Sequence, residues 1–290
     1  MATSGVFYMG QLGRMAPLPG IPRGGVVPQD TLRTAGEQTS LGGRVTTDIV
    51  ATRRNWGFDW HALTTAERDL IENHLLGFRP GPLRMIDPTR RNRLSVRGSG
   101  ITTGLLGMDP VLTGSGTWTD QDLVTTTGLG SVRGGLLTPS TTSVLHAHLD
   151  RQENRRVPVL LGETLTSTVW VYCPTGGGTV ALTASYFNLV GSLISTLTGT
   201  TVALAAATWT RVVHTWTVGS STAVGASPRV SWTPPSAGVG LYVAQPQIEE
   251  GAAATAWSSG GGCPEVRLPK FRSTALSPSE FDVVLDVEEV

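Results

Sequence analysis

Short runs of alternating apolar and polar residues recur along this chain, and they predict strands far more often than helices. In "NWGFDW", Trp56, Phe58 and Trp60 alternate with polar or small residues, which is the period of a half-buried strand. The stretch "FDVVLDVEEV" repeats that period near the end of the sequence. Because a single strand does not fold alone, we expect it to pair with a sheet formed by the first part of the chain.

One segment has the period of a helix instead. In "LTTAERDLIENHLLG", Thr64 is placed as the N-cap, Glu67 as its capping-box partner and Gly77 as the C-terminal stop. The apolar stripe predicted for this helix comprises Ala66, Leu70, Ile71 and Leu75. The following "PLRMIDP" predicts a short strand, so residues 44 to 88 form a strand, helix, strand unit.

The texture of the sequence changes at about residue 112, where Thr, Ser and Gly become frequent. Short apolar runs such as "LTSTVWVYC", "TVALTASYF" and "RVSWTPP" recur between turn signals up to the glycines at 260 to 262. This spacing predicts an antiparallel β-sandwich or jelly roll over residues 113 to 259. We therefore expect a mainly β protein, in which that domain is inserted into a split β-sandwich domain with one helix, formed by residues 1 to 112 and 260 to 290.

Composition excludes several classes of function. The 22 basic and 22 acidic residues cancel, so no net field would attract nucleic acid or an anionic membrane surface. No apolar run approaches the roughly 18 residues of a membrane span, and the first residues do not resemble a cleaved signal. Cys173 and Cys263 lack the spacing of a zinc site or a disulfide scaffold, although a single disulfide between them remains open.

Catalytic motifs are missing from the sequence. The glycine-rich stretches match neither a dinucleotide-binding nor a phosphate-binding loop, and no nucleophile elbow occurs. A glycan-cleaving enzyme would need two carboxylates across one cleft, for which Asp150 and Glu153 are candidates by adjacency alone. We therefore expect a protein that is not an enzyme and that needs no cofactor.

The run "HAHLD" is the most metal-like part of the sequence. Strand alternation places His146, His148 and Asp150 on one face, and imidazole with carboxylate suits a transition metal. The favoured interpretation is a solvated polar face opposite an apolar one. A calcium ion held by Asp120 or Asp122 is a second hypothesis of the same weight.

Two further groups of residues are candidates for binding. Residues 79 to 97 are rich in arginine, and Arg90, Arg91 and Arg93 are predicted to lie in an assembly interface rather than on nucleic acid. Aromatic rings can stack on sugars, and the chain has eight tryptophans, most of which are expected in the core. The rings singled out for sugar binding, two on one strand face and one in the next strand, are Trp170, Tyr172 and Tyr186.

Three runs within the inserted block resemble carbohydrate-binding-module-like jelly rolls, which occur in phage tail proteins and glycan-active enzymes. They are "VPVLLGETLTSTVWVYC", "AATWTRVVHTWTV" and "YVAQPQIEEGAAATAW". The resemblance implies that Trp209 is in the core and that Arg211 braces the sheet. In the closing run, Glu249 and Glu250 are expected to face water, and Gly251 to form the turn that returns the chain to the sandwich.

The outer segment "RRNWGFDWHALTTAERDLIENHLLG" and the closing strand resemble the belt domain of distal or minor tail proteins of long-tailed phages. That resemblance implies a structural virion protein at the tail tip, made in the host cytoplasm. It also implies a homo-oligomeric ring, a hexamer by preference, with tail tube and hub or fibre proteins as partners and host cell-wall glycan as a possible ligand. The alternative is a non-viral carbohydrate-binding protein or a glycosidase accessory module.

Overall fold

A computed structural model describes residues 5–20, 22–23, 27–39, 45–75, 82–101, 111–122, 129, 133–151 and 156–290. The chain divides into two compact units. The sandwich unit comprises Met1–Phe7, Leu12–Met15 and Ile86–Cys263, and the split unit comprises Tyr8–Gln11, Ala16–Met85 and Pro264–Val290. The divisions thus fall at 7/8, 11/12, 15/16, 85/86 and 263/264, whereas the sequence analysis placed them at 112/113 and 259/260.

Strands dominate both units, as expected, and the strand pairs of the sandwich unit are antiparallel. The elements in chain order are β1 (Tyr8–Gly10), β2 (Ala16–Pro17), β3 (Gln29–Thr39), β4 (Val45–Thr64), α1 (Thr65–Leu75), β5 (Leu83–Ile86), α2 (Val96–Gly100), β6 (Val111–Thr113), β7 (Gly116–Asp122), β8 (Arg133–Pro139), β9 (Leu145–His148), β10 (Val157–Pro158), β11 (Thr164–Tyr172), β12 (Thr179–Phe187), β13 (Leu193–Thr198), β14 (Val202–Ala203), β15 (Trp209–Thr217), β16 (Gly225–Thr233), β17 (Leu241–Glu250), β18 (Glu265–Ala275) and β19 (Glu280–Glu289).

The split unit contains one seven-stranded sheet in the order β2-β1-β5-β18-β19-β4-β3. The predicted pairing of the closing strand is confirmed, because β19 lies beside β4 with Phe58 opposite Leu285 and Trp60 opposite Val283. All four of these side chains are buried. Burial of matched apolar faces therefore joins two segments that are more than 200 residues apart in sequence.

Helix α1 begins as predicted. The Thr64 backbone N–H and hydroxyl donate to Glu67 Oε2 at 2.9 and 2.7 Å, and the Glu67 N–H donates back to Thr64 Oγ1 at 3.3 Å. The predicted apolar stripe is only partly correct, because Ile71 is buried whereas Ala66 is exposed. The expected stop at Gly77 lies outside the described residues.

The sandwich unit contains two sheets with a shared core. The first has the order β13-β12-β16-β9-β6, with β10 beside β16 and β14 beside β12, and we call it the B sheet. The second has the order β15-β11-β17-β8-β7, and we call it the C sheet. Alternate residues of both sheets, such as Val171 on β11 and Leu182 on β12, form one buried cluster with Trp232. The fold class is thus the expected one, mainly β with an antiparallel sandwich of jelly-roll type.

Cys173 belongs to this core, and Cys263 is buried near the end of the unit. They do not form a disulfide with each other. Within the described residues, no helix has both the length and the apolar character needed to cross a bilayer.

Candidate functional site

Three aromatic side chains stand next to one another on the outer face of the C sheet. Tyr172 on β11 lies directly opposite Trp209 on β15 and Tyr242 on β17. The Tyr172 ring centroid is 5.4 Å from that of Trp209 and 5.9 Å from that of Tyr242. All three side chains are half-buried. Residues next to them on the strands, such as Val171 and Val243, point into the core instead. We call this set the aromatic row; across three strands it spans about 10 Å.

Trp170 extends the same face. It precedes Tyr172 by two residues on β11, so its side chain projects to the same side, and it is also half-buried. Opposite it, the Arg211 guanidinium donates to Thr168 Oγ1 at 3.3 Å and to the Thr255 carbonyl. Arg211 therefore braces the sheet against a covering segment, as the resemblance implied.

The part of this face formed by β17 and the neighbouring residues of β11 is contacted by residues 251 to 258. The Glu249 carboxylate accepts from the Thr255 N–H at 2.7 Å and from its hydroxyl at 2.5 Å, and Trp257 Nε1 donates to the Pro246 carbonyl at 3.2 Å. Gly251 forms the predicted turn at φ +105°. The expectation that Glu249 faces water is wrong, because its carboxylate binds the segment that covers it. The aromatic row lies beside this contacted part and stays partly open, and the outward-facing Val213 and Thr215 of β15 are exposed as well.

The three rings singled out from the sequence lie in two different places. Trp170 and Tyr172 lie on the open face of the C sheet, but Tyr186 is 2% exposed and lies on the core side of the B sheet. Burial raises the pKa of the Tyr186 phenol, and its hydroxyl has no hydrogen-bond partner among the described residues. Tyr186 is therefore a core residue that cannot stack on a ligand.

Trp209 and Tyr242 were not among the predicted binding residues. The resemblance assigned Trp209 to the core, which is wrong, because its side chain is half-buried beside Tyr172. The alternation of residues along β15 could have placed Trp209 on the outer face. Trp209 is in phase with Arg211 and Thr215, which are not buried, and out of phase with the buried Val212.

The histidine run does not form a metal site. His146 Nδ1 is 3.0 Å from Ser231 Oγ, and His148 Nε2 is 3.3 Å from Thr113 Oγ1. Asp150 is fully buried and accepts from the backbone N–H and the hydroxyl of Ser95, both at 2.6 Å. Among the described residues, no group of three His, Cys, Asp or Glu side chains could hold a metal ion.

The polar face at these histidines is not solvated in the way the sequence suggested. His148 is 4% exposed, and burial, with additional repulsion from Arg151, Arg229 and His146, lowers the pKa of His148 to about 3. Its imidazole is therefore neutral in the folded protein at neutral pH. Asp120, one of the two calcium candidates, accepts from Trp118 Nε1 at 3.3 Å, and the side chain of Asp122 lies outside the described residues.

The three arginines predicted for an assembly interface differ in exposure. Arg91 is exposed, Arg90 is half-buried and donates to the Gly260 carbonyl at 3.3 Å, and Arg93 is 3% exposed. A cavity of about 390 Å³ in the sandwich unit is lined in part by these three residues.

Arg93 belongs to the interior rather than to an interface. Its guanidinium lies 2.6 Å from Glu163 Oε1 and 3.2 Å from Glu250 Oε2. Burial disfavours the charged form, but these carboxylates outweigh it, so the pKa of Arg93 is raised. Glu250 thus has a buried partner and does not simply face water.

No protein-family model matches the chain, and no curated protein matches it. Several solved structures are similar in part. They include the enzymatically active domain of bacteriophage CBA120 tailspike protein 4, with 14% identity, 55% of this chain covered and a TM-score of 0.40. This chain spans 21% of the length of that tailspike chain.

Two carbohydrate-binding domains are similar to the same extent. A CBM22-1 xylan-binding domain from Paenibacillus barcinonensis Xyn10C has 12% identity, a TM-score of 0.38 and coverage of 50% of this chain and 86% of that chain. TmCBM61, solved with β-1,4-galactotriose, has 12% identity, a TM-score of 0.39 and coverage of 56% and 100%. Likenesses at this level of identity and TM-score identify neither a family nor a ligand for this chain.

Proposed function

We propose that this chain is a structural component of the tail tip of a long-tailed phage, as a distal tail or minor tail protein, and that its sandwich unit contacts host glycan. The aromatic row of Trp209, Tyr172 and Tyr242 is the observation that carries the glycan contact. No covalent chemistry and no cofactor belong to this function. The protein would bind glycan through contacts between its aromatic side chains and the sugar.

A row of half-buried rings suits a sugar chain for physical reasons. The C–H faces of a pyranose are apolar and pack on an aromatic face, while its hydroxyls remain in water. The ring centroids of neighbouring strands lie 5.4 and 5.9 Å apart, close to the length of one sugar unit, so successive units can meet successive rings. Three partly open aromatic rings support a weak site with a Kd near 1 mM, which corresponds to a binding free energy of about −4 kcal/mol.

Oligomerisation would let several weak glycan sites bind the same cell surface together. If the split unit forms a closed ring, several sandwich units face the same cell surface, and avidity rises by roughly 10² or more when receptor spacing allows. The ring, six-fold by preference, and its contacts with tail tube and hub or fibre proteins are supported by the resemblance of residues 53 to 77 and the closing strand to belt domains. Of the arginine candidates, Arg91 is the exposed one; it lies in the sandwich unit, so an interface through it would involve that unit as well.

The test of glycan contact uses pairs of substitutions that separate aromatic from apolar character. Trp209→Leu and Tyr172→Leu remove the ring and keep an apolar side chain, whereas Trp209→Phe and Tyr172→Phe keep a ring. Binding to a panel of immobilised bacterial cell-wall polysaccharides should fall about 10-fold for each leucine variant, or about 1.4 kcal/mol, and less than 3-fold for each phenylalanine variant.

A loss of binding supports the proposal only if the variant has the same unfolding temperature as the parent protein, because an unfolded variant would also fail to bind. Equal binding by the leucine and phenylalanine variants would remove the aromatic row from the function. Mass measurement of the purified chain, alone and in phage particles, tests the tail-tip assignment separately. A monomer absent from particles would favour the alternative, a non-viral carbohydrate-binding protein or a glycosidase accessory module.

A further inference from the structure

Strand β13 is the outer strand of the B sheet, and its free edge is unusual. It pairs with β12 on one side, from Leu193 opposite Phe187 to Thr198 opposite Thr183. In the part of the chain that the structure describes, no strand pairs with its other side. All six residues of β13 are exposed.

The surface of this edge is apolar and uncharged. Twelve large apolar side chains are exposed among the described residues, and five of them fall within nine residues: Leu189, Val190, Leu193, Ile194 and Leu197. The sequence from residue 188 to residue 210 contains no Asp, Glu, Lys, Arg or His. Neither charge repulsion nor a proline therefore protects the β13 edge from pairing.

The other outer strands of the described sheets carry such protection. On the C sheet, β15 has Arg211 and β7 has Asp120. In the split unit, β3 has Asp30 among its charged residues, and β2 is two residues long and ends in Pro17. The opposite edge of the B sheet, β6, is three residues long. Among the outer strands of more than three residues in the described sheets, the lack of protection is thus specific to β13.

We infer that the β13 edge binds a second copy of this chain, so that two B sheets join into one antiparallel sheet across a two-fold axis. An edge strand is complementary to a copy of itself under such an axis, because its unpaired N–H and C=O groups meet in reverse order. A neutral edge meets its copy without like-charge repulsion, which a charged edge does not. The same neutrality gives a partner of opposite charge nothing to recognise.

A lipid surface fits the β13 edge less well. Segments that lie at a bilayer interface carry Trp, Tyr, Lys or Arg beside the apolar residues. Between residues 188 and 208 none of these occurs. The inference does not depend on glycan binding, since the aromatic row lies on the other sheet.

The test follows backbone protection of β13 directly, because ring formation by the split unit would obscure a measurement of mass alone. Hydrogen exchange of the β13 amides is measured on the full chain at low and high protein concentration. We expect those amides to become at least about 10-fold slower at high concentration, and amides of the β15 edge to stay unchanged. Concentration-independent exchange at β13 would overturn the inference.

A matched pair of charge substitutions identifies the edge. Leu197 on β13 is 37% exposed and Val213 on β15 is 42% exposed, so lysine can replace either at the surface of an outer strand. Leu197→Lys should abolish the concentration-dependent protection, and Val213→Lys should leave it intact. Persistence of protection in Leu197→Lys would contradict the inference. The inference would also be wrong if neutral phosphatidylcholine vesicles slowed exchange at β13 while a higher protein concentration did not.

Discussion

Replacing Arg93 by methionine should destabilise the sandwich unit strongly without removing any exposed charge. The guanidinium is 3% exposed and lies within 3.2 Å of two carboxylates, of which Glu163 is itself 2% exposed. Removing one member of a buried ion pair leaves the other charge without compensation, which costs about 3 to 5 kcal/mol. For a unit of this size that corresponds to a fall of about 6 to 20 °C in the unfolding temperature.

The assay is thermal and denaturant unfolding of the full chain, followed by tryptophan fluorescence, with the two units allowed separate transitions. Arg91→Met is the matched control, because Arg91 is exposed two positions away, and it should change stability by less than about 0.5 kcal/mol. A loss below about 1 kcal/mol in Arg93→Met would show that the pair is not buried as described. The expectation that Arg93 serves an interface would then regain support.

Three other predictions concern stability. Gly135→Ala should cost about 1 to 3 kcal/mol, because a Cβ would lie 1.8 Å from Trp118 Cζ2, whereas Gly57→Ala, with no atom within 4 Å, should cost under about 1 kcal/mol in chemical denaturation. Tyr186→Phe should leave stability unchanged or raise it by up to about 1 kcal/mol, because it removes a buried hydroxyl without a described partner; a loss above that size in the same assay would reveal a missing partner. The lowered pKa of His148, about 3 against about 6.5 in the unfolded chain, means that the unfolded state binds the extra proton, so stability is complete above pH 6.5 and falls as the pH drops towards 3. His148→Asn should flatten that dependence in unfolding measured at several pH values, and an unchanged slope would contradict the assignment.

Local patterns predicted the parts of the fold that local chemistry decides. The Thr64 and Glu67 capping box fixed the start of α1, and the alternation in "FDVVLDVEEV" predicted a strand that needs a distant partner. Strand order could not be predicted, because an apolar face does not specify which other face covers it. The burial of Ile71 rather than Ala66 on α1 has the same cause.

The candidate site was predicted in part for a related reason. Trp170 and Tyr172 share a strand, so alternation alone places them on one face. Trp209 and Tyr242 reach Tyr172 only through the register of three strands that are far apart in sequence. Tyr186 lies in the neighbouring predicted strand, but β12 belongs to the other sheet, and its phase directs the ring into the core.

The most direct test of the glycan contact observes the tryptophan side chains themselves. In a ¹⁵N-labelled sample, each indole Nε1–H gives its own NMR signal, assigned by single Trp→Phe variants. The sample is titrated with a cell-wall polysaccharide that the protein binds in the panel described above. The signal of Trp209 should shift, while the signals of the buried Trp56 and Trp232 should stay in place. If Trp209 does not respond while binding is saturated, or if the buried indoles respond instead, the aromatic row is not the glycan site.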